Sequence, residues 1–453
     1  MRILLVNTNT NRYLSPPPIG LAYLSAALKR QGHEVGVIDL MFTDDPLGIL
    51  CTRIERERPG LVGFSIRNLD NQTMLELHSP LPFIRSLVAT ARERNIPTVL
   101  GGTAFTSLPR EMLEFMQADY GVAGDGEQGI VALAEALSNH TGCSEAPGLV
   151  WRDAGEVRVN RPIVASQVDA GHPDWSSLDW RRYRTTTCPP APGVLIKVGC
   201  PYHCSYCDSH TSMGRRFVLR EPSAIVKDFR ILRREHGITN FFLIDHCFNS
   251  PLEHAKAVLK ELIRANLGVS LVASIGPIPG CYDDELFALF REAGGFFVVM
   301  DAESLSPVML ARYQKPFNVD DVYRCGRVAR QHGVHFGAEM LFGGPGETDR
   351  TVRETVDGLE RLDFSMFHYN IGVRILPDTA LYATAVAEGI VGSPTELMFP
   401  TFYLSKEMDL EWAKRHLAHA ERKHLPRRLR LLPFFARNLL GLRISGKAKY
   451  CCS

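Results

Sequence analysis

Three closely spaced cysteines are the strongest chemical feature of the sequence. Residues 199–207 read GCPYHCSYC, so that Cys200, Cys204 and Cys207 follow a C-x3-C-x2-C spacing. Three thiolates on one loop can bind three irons of a 4Fe-4S cluster and leave the fourth iron open to a substrate or cofactor. A structural zinc site is the alternative, in which His203 or His210 would complete the ligand set, although this spacing is unusual for zinc.

Two further segments with glycine and acidic residues follow the cysteine loop. Residues 300–304 read MDAES and residues 341–348 read LFGGPGET, and each lies at the end of an apolar stretch. Either segment alone would be read as an ordinary turn. Together with the cysteines, and in this order, they resemble the radical S-adenosylmethionine (SAM) superfamily.

The resemblance implies roles for individual residues. The open iron would bind the amino and carboxylate groups of SAM, and Tyr206 would lie near its adenine. Glu303 would make a polar contact with SAM, while Gly343 and Gly344 would let the backbone approach the adenosine closely. One element differs from the usual pattern, because residues 244–249, IDHCFN, stand where a Gly-Gly-Glu is common. That replacement resembles the corrinoid-containing branch of the superfamily.

An alternation of strands and helices must position these segments. Six such units fit a partial (β/α)6 radical SAM barrel, whose chemistry belongs at the carboxyl ends of the strands. The cysteine loop comes directly after the first predicted strand, as that arrangement requires. The predicted strands cover residues 194–198, 240–244, 268–274, 295–301, 335–342 and 367–374.

A separate alternation precedes the barrel and predicts a doubly wound, Rossmann-like parallel α/β sheet. Helices are predicted at 21–30 and 83–92, and ligands of such sheets bind at the carboxyl ends of the strands. The predicted strands cover residues 3–6, 34–38, 61–66, 97–100 and 120–123.

Four segments of this first region resemble the B12-binding domain that precedes many radical SAM barrels. They are PPPIGLAYL at 16–24, GHEV at 32–35, GGT at 101–103 and GDGE at 124–127. The resemblance implies that cobalamin is bound at the strand ends, although any flavodoxin-like module would share the fold. The implied cobalamin contacts are Ser65, Arg67, Asn68, Gly101, Gly102, Thr103, Asp125, Gly126 and Glu127.

The loop that carries an axial histidine in other B12 proteins has none here. It should follow the first strand, where residues 7–13 read NTNTNRY. His33 opens the second strand and is expected to pack there rather than bind cobalt. Arg67 could then approach the lower face of cobalt, where a guanidinium cannot coordinate and would favour cobalt(I). The alternative is that Arg67 pairs with Asp70 or with a corrin carboxylate.

Composition bounds the remaining expectations. The overall charge is near zero, yet residues 422–453 hold nine Lys or Arg and no acid. Residues 424–437 mix these with large apolar side chains, so this tail either docks on the barrel or contacts an anionic membrane surface. Two prolines interrupt an amphipathic helix there and favour docking.

We see no signal peptide or membrane span, and clustered thiols fit a reducing, cytoplasmic location. The predicted divisions are 1–140 cobalamin domain, 141–190 irregular linker, 191–385 barrel and 386–453 helical tail.

The resemblance implies a class B type methyltransferase, which moves a methyl group from SAM via methylcobalamin to a carbon activated by a 5′-deoxyadenosyl radical. The substrate would be a small-molecule or lipid-like biosynthetic intermediate, and a flavodoxin or ferredoxin would supply electrons. The alternative is a corrinoid radical SAM enzyme that cyclises or rearranges its substrate.

Two other classes of protein fit the sequence less well. A tRNA methylthiotransferase would carry more N-terminal cysteines than Cys51 alone, so no nucleic-acid partner is expected. A non-enzymatic corrinoid sensor would not need the cluster. Substrate contacts could come from strand-end residues: His246, Asn249, Glu303, Tyr369 and Arg374.

Overall fold

The computed structural model of the protein describes residues 1–10, 16–164, 171–183 and 192–431. Their contacts divide the chain into two compact units. The N-terminal unit contains residues 1–179, 197–220 and 374–402, and the barrel unit contains residues 180–196, 221–373 and those from 403 onward. The boundaries at 140, 190 and 385 stay a prediction.

The N-terminal unit is built on a seven-stranded sheet in the order β2-β1-β3-β4-β5-β6-β7. The first five strands are parallel, and the direction of strand addition reverses between β1 and β3, which is the switch point where such sheets bind ligands. The strands are β1 Arg2–Asn7, β2 Glu34–Asp39, β3 Leu61–Ser65, β4 Thr98–Gly101, β5 Tyr120–Val122, β6 Leu149–Asp153 and β7 Glu156–Val159.

Strands β6 and β7 correct the sequence analysis, which described residues 141–190 as irregular. They form an antiparallel hairpin that extends the sheet beyond β5. The residues of β7 are mostly exposed, so the hairpin lacks the long apolar run that made the inner strands recognisable. Parts of this segment, residues 165–170 and 184–191, lie outside the described residues.

Six helices connect and cover this sheet. Apolar side chains from β1 and β3 form a core cluster with the helices Ile19–Arg30 and Gly126–Asn139, and Ile3, Leu5 and Leu61 are almost completely buried. Parallel strands covered on both faces carry such near-continuous apolar runs. The helices are α1 Ile19–Arg30, α2 Pro46–Glu57, α3 Leu81–Arg92, α4 Thr103–Ser107, α5 Pro109–Met116 and α6 Gly126–Asn139.

The barrel unit is built on six parallel strands in the order β15-β14-β13-β12-β11-β8. The doubly wound sheet followed by a partial (β/α)6 barrel confirms the predicted fold class. The first predicted barrel strand is split by Ile196 and the last by Gly372. In chain order the six strands are β8 Gly193–Leu195, β11 Asn240–Ile244, β12 Ser270–Ile275, β13 Gly295–Glu303, β14 His335–Phe342 and β15 Met366–Ile371. Two short pairs complete the described strands: β9 Lys197–Val198 with β10 Val218–Leu219, which belong to the N-terminal unit, and β16 Val373–Arg374 with β17 Phe402–Tyr403.

Several helices in this part of the chain begin at side-chain caps, which satisfy backbone N–H groups that the first turn leaves without partners. Asn318 and Asp321 form a capping box at one helix, and Thr348 and Thr351 form another. The helices are α7 Ser209–Ser212, α8 Pro222–Glu235, α9 Leu252–Ala265, α10 Asp284–Glu292, α11 Pro307–Arg312, α12 Val319–Gln331, α13 Asp349–Arg361, α14 Ala380–Ala387 and α15 Leu410–His424.

The described part of the basic tail docks on the barrel unit. Arg427 donates to the carbonyl of Leu362 over 2.8 Å and its guanidinium lies 4.5 Å from the ring centroid of Phe364. Leu431 is buried against Val272 and Phe297 of the barrel strands. Residues 432–453, with the rest of the apolar tail and Cys451 and Cys452, lie outside the described residues. Contact of the tail with a membrane surface stays a prediction.

Among the residues that the structure describes, no helix is both long and apolar enough to cross a bilayer.

Candidate cofactor-binding sites

The cysteine loop joins β9 to α7 and belongs to the N-terminal unit. Gly199 turns the chain into the loop with a φ of +85°, and a Cβ atom there would lie 2.0 Å from the carbonyl oxygen of Arg216. Only glycine fits this position, because a side chain would collide with the neighbouring backbone. The amide of Cys200 then donates to the carbonyl of Gly214 over 2.9 Å. This backbone contact fixes the start of the loop at its first cysteine.

Two contacts fix the far end of the loop within the same unit. Ser107, at the end of α4, donates its hydroxyl to Asp208 over 2.6 Å. The amide of Leu381, in α14, donates to the carbonyl of Ser205 over 2.7 Å. Tyr206, the predicted adenine neighbour, is partly buried between these two anchors. These two hydrogen bonds hold the far end of the cysteine loop.

The chemistry of the three thiols fits an iron–sulfur cluster. Burial raises the pKa of Cys207, and a hydrogen bond to Ser209, with 3.0 Å between sulfur and oxygen, partly opposes that effect. A buried thiol of this kind loses its proton readily only when a cation is there to stabilise the thiolate. Within the described residues, no three His, Cys, Asp or Glu side chains converge on a point that one metal ion could fill. A cubane cluster does not require such convergence, because each cysteine binds a different iron.

The GGPGET segment forms a locked turn at the end of β14 in the barrel unit. The carboxylate of Glu347 is almost fully buried and accepts hydrogen bonds from the Gly343 amide, over 3.4 Å, and from the Thr351 hydroxyl. Burial raises the pKa of Glu347 to about 7. Gly344 packs so closely on Tyr313 that a Cβ atom would lie 2.5 Å from its ring. The glycines therefore have a packing role in the turn, and the backbone of Gly343 is itself bonded there, because its carbonyl accepts from the amide of Ser405 over 2.8 Å.

The end of β13 carries two acidic residues in an unusual local geometry. Glu303 has a left-handed φ of +63° and lies 3.5 Å from the ammonium of Lys315. Asp301 accepts a hydrogen bond from Ser274 over 2.5 Å. Burial raises the pKa of Asp301 to about 7, and the neighbouring charge of Glu303 acts in the same direction. Glu303, the predicted SAM contact, is thus held at the strand end beside a second titratable group.

One polar pair on the next two strands was not predicted from the sequence. Glu339 and His368 are register partners in β14 and β15, and the carboxylate lies 2.8 Å from Nδ1 of the imidazole. This hydrogen bond is the main reason that the pKa of His368 is raised. The signal was the period-two pattern of β14, in which Glu339 alternates with the buried Ala338 and Met340.

The five residues proposed to touch a substrate have different environments. His246 is exposed, whereas Asn249 is fully buried and donates to the carbonyls of Gly276 and Cys281 over 2.8 Å each. Tyr369 stacks on Phe367, and Glu303 is described above. Arg374 is buried in contacts within the N-terminal unit. The side chains of Asn249 and Arg374 are therefore engaged in internal hydrogen bonds.

The strand ends of the N-terminal sheet form a glycine-lined edge. Gly102 has a φ of +100°, and a Cβ atom there would lie 2.5 Å from the carbonyl oxygen of Ile66. The amide of Ile66 donates to the carbonyl of Gly101 over 2.7 Å, and the hydroxyl of Thr8 donates to that of Ser65 over 2.7 Å. These bonds join the ends of β1, β3 and β4 and leave a surface with few side chains. Thr103 is exposed at the start of α4.

The GDGE segment lies at the beginning of α6 on the same sheet. The amide of Asp125 donates to the carbonyl of Ile163 over 2.7 Å, and Gly126 packs against Leu24 of α1. Burial raises the pKa of Glu127, and the negative charge of Asp125 also contributes. These residues follow β5, so they share the carboxyl edge with Gly101 and Gly102.

Arg67 differs from the other charged residues of this edge. Arg67 and Asn68 are both exposed after β3, and desolvation by the surrounding protein lowers the pKa of Arg67. Asp70 does not pair with Arg67, because its carboxylate is bonded to Arg374 at 2.7 Å. The reading in which Arg67 pairs with Asp70 is therefore wrong. Because the guanidinium of Arg67 is exposed, it is accessible to a bound molecule.

His33 packs just before the amino end of β2, away from the carboxyl edge of the sheet, as expected. It is buried before β2, and its Nδ1 atom lies 3.1 Å from the terminal amine of Met1. Burial lowers its pKa. A histidine at the amino end of a strand is remote from the carboxyl edge where ligands of such sheets bind.

Comparisons with known proteins agree with both halves of this description. Residues 8–134 match the B12 binding domain family, and residues 194–359 match the radical SAM superfamily. The chain is thus a radical SAM enzyme with an N-terminal B12-binding domain, and its relatives include methyltransferases and cyclases.

Three proteins illustrate what this chain is similar to. A tryptophan 2-C-methyltransferase from Streptomyces laurentii is 28% identical, over 87% of this chain and 76% of its own length. The structure of the radical SAM methyltransferase TsrM from Kitasatospora setae, with cobalamin and a 4Fe-4S cluster bound, superposes with a TM-score of 0.82 at 25% identity, covering 92% of this chain and 90% of that one. An anaerobic magnesium-protoporphyrin IX monomethyl ester cyclase from Rubrivivax gelatinosus is 27% identical over 75% of this chain and 61% of its own length.

Proposed function

We propose that this protein transfers a methyl group from SAM to a carbon atom of a small molecule, using cobalamin and a 4Fe-4S cluster. The observation that carries the proposal is the similarity, over nearly the whole chain, to a methyltransferase structure that holds both cofactors. When bound, cobalamin supplies a methyl carrier, and the cluster supplies an electron to SAM. The protein's own residues bind, orient and shield these groups.

Three sets of residues would hold the three groups. Cys200, Cys204 and Cys207 would bind the cluster through their thiolates. SAM would be contacted by Tyr206, Glu303, Gly343 and Gly344. Cobalamin would be contacted by residues at the carboxyl edge of the N-terminal sheet: Ser65, Arg67, Asn68, Gly101, Gly102, Thr103, Asp125, Gly126 and Glu127. What supports the cobalamin part of this assignment is the fixed backbone at Gly102, where a side chain would collide with the carbonyl of Ile66.

Arg67 is given a specific part in this proposal. A guanidinium has no lone pair to donate, so it cannot coordinate cobalt, yet it can exclude water and other ligands from the lower face. Its exposure directly after β3, at the carboxyl edge of the sheet, supports this role. With cobalamin bound, this role of Arg67 would make cobalt(I) easier to form, because a coordinating ligand would stabilise cobalt(II) over cobalt(I).

The substrate is proposed to be a small biosynthetic molecule. The S. laurentii relative is a tryptophan methyltransferase, and a second K. setae TsrM structure, 26% identical, contains tryptophan. A hopanoid C-3 methylase from Methylococcus capsulatus is 24% identical over 73% of this chain and 62% of its own length, which keeps a lipid-like substrate among the candidates. A flavodoxin or ferredoxin is the proposed electron donor.

Cyclisation is the second candidate function, because cyclases are found among the relatives. The distinguishing experiment compares metabolites, by mass spectrometry, from anaerobic cells that express the wild type or the Cys200→Ala variant. Methyl transfer predicts a product heavier than its precursor by one methylene unit, labelled when the cells are fed methyl-labelled methionine. A wild-type-dependent product that lacks the label would contradict methyl transfer and favour the cyclase reading.

A further inference from the structure

We infer that Asp70 and Arg374 form a buried ion pair that positions Arg67 at the cobalamin edge of the N-terminal sheet. The inference rests on the proposed function, since it takes cobalamin to bind at that edge. Arg374 would then be a positioning residue, which acts on the cofactor through Arg67 rather than by touching it.

The pair is almost completely shielded from solvent. Nε of Arg374 donates to Oδ2 of Asp70 over 2.7 Å, and the two side chains are only 5% and 1% exposed. The rest of the guanidinium donates to three backbone carbonyls, those of Ile375, Leu397 and Thr401, over 2.7–3.1 Å. A planar guanidinium with four directed hydrogen bonds has little freedom to move. Arg374 therefore holds Asp70, and with it the loop that follows β3, in a fixed position.

Asp70 carries the loop that follows β3. Its second oxygen, Oδ1, accepts from the amide of Gln72 over 2.8 Å, and the neighbouring carbonyl of Leu69 accepts from the Ser79 hydroxyl over 2.9 Å. The carboxylate thus bonds at once to Arg374 and to its own loop. Because Asp70 is buried with the guanidinium, the loop cannot shift without breaking the ion pair.

Arg67 lies between two fixed points on this loop. On one side, Ile66 is fully buried and is bonded through its backbone to Gly101 and Ala104, over 2.7 and 3.1 Å. On the other side, Asp70 is held by Arg374. Only Arg67, Asn68 and Leu69 separate these anchors, and Leu69 is itself buried. The exposed guanidinium therefore stands on a short segment with both ends fixed, which limits the positions it can reach.

The test is spectroelectrochemistry of cobalamin bound to the full-length, anaerobically reconstituted protein. Asp70→Asn alone would leave a buried unpaired cation, so the pair is removed as a whole in Asp70→Asn/Arg374→Gln. This variant should lower the cobalt(II)/(I) midpoint potential, as Arg67→Ala does, and by a smaller amount. Adding the pair replacement to Arg67→Ala should cause no further shift, because the pair acts only through Arg67. Arg374→Lys, which keeps the charge, should recover part of the wild-type potential.

Two comparisons separate the outcomes. Asp174→Asn removes a different ion pair of the same unit, between Asp174 and Lys29 of α1, and should leave the potential unchanged. If Arg67→Ala shifts the potential and the pair replacement does not, the positioning inference is overturned while the proposed role of Arg67 stands. A further shift in the Arg67→Ala background would also overturn it. An unchanged potential in Arg67→Ala itself would reject the proposed role of Arg67 and the inference with it.

Discussion

The N-terminal sheet and the barrel sheet carry different residue types toward their carboxyl ends. At the N-terminal sheet, backbone hydrogen bonds hold Gly101, Gly102 and Ile66, and the exposed charge is the guanidinium of Arg67. At the barrel sheet, acidic side chains lie on neighbouring strands: Asp301 near the end of β13 is bonded to Ser274, and Glu339 within β14 is bonded to His368.

This difference follows from what each edge is proposed to hold. A large planar cofactor needs room and main-chain contacts, which glycines provide. A charged ligand such as SAM needs groups whose charge can be matched, and desolvated carboxylates provide them at the cost of raised pKa values. The first edge should therefore respond to mutation through the properties of the metal, and the second through pH.

The cysteine loop gives the largest expected effect. Alanine at Cys200, Cys204 or Cys207 removes one of the three proposed thiolate ligands, so cluster absorbance and all SAM cleavage should be lost. Iron content and deoxyadenosine formation measure the two losses. Cys51→Ala, remote in sequence from the loop, is the matched control and should keep both. A full cluster in the triple variant would show that other cysteines bind the iron.

The barrel unit should show a pH-dependent stability to which Asp301 makes a large contribution. Because burial raises its pKa from 3.8 to about 7, the stability that protonated Asp301 contributes is complete below pH 4 and is lost as pH rises through 7. Asp301→Asn should reduce the loss of stability between pH 4 and 8 by on the order of 2–4 kcal/mol, and the part that comes from Glu347, whose pKa is also raised to about 7, should remain. Urea unfolding at several pH values measures it.

The exposed Asp153→Asn should leave the pH dependence of the wild type unchanged. If Asp301→Asn has the same pH profile as the wild type, Asp301 is ionised in the folded protein near pH 5 and the contrast between the two edges is weaker than described here.

Arg67 gives a smaller effect, on the metal rather than on stability. Without the guanidinium, water or a side chain can reach the lower face of cobalt, so Arg67→Ala should lower the cobalt(II)/(I) potential. Loss of one charge-assisted contact is worth about 1.5–3 kcal/mol, which for a one-electron couple is about 65–130 mV. Arg67→Lys should recover part of it. An unchanged potential at full cobalamin occupancy would make Arg67 a structural residue.

Most of the fold could be predicted from the sequence because its inner strands carry long apolar runs. Strand β11, at Asn240–Ile244, and strand β14, at His335–Phe342, have the predicted bounds. The hairpin of β6 and β7 was missed because β7 is an exposed edge strand with one buried residue, Val157. Burial against a sheet, rather than local sequence, determines that it pairs.

The candidate sites divide in the same way. Motifs that are local in sequence, such as the three cysteines and GGPGET, could be found without a structure. The hydrogen bond between Asp70 and Arg374 joins residues far apart in the chain, so the partner of Asp70 is determined by the fold and not by the local sequence. Sequence proximity suggested Arg67 as the partner of Asp70, and the geometry of the loop after β3 excludes it.

The most direct test of the account is electron paramagnetic resonance of cobalt(II) cobalamin bound to the wild-type protein. We predict a spectrum without nitrogen superhyperfine splitting, because His33 is buried at the amino end of its strand and Arg67 cannot coordinate. His33→Ala should leave the spectrum unchanged. Nitrogen splitting in the wild type that disappears in His33→Ala would contradict the proposed cobalamin site.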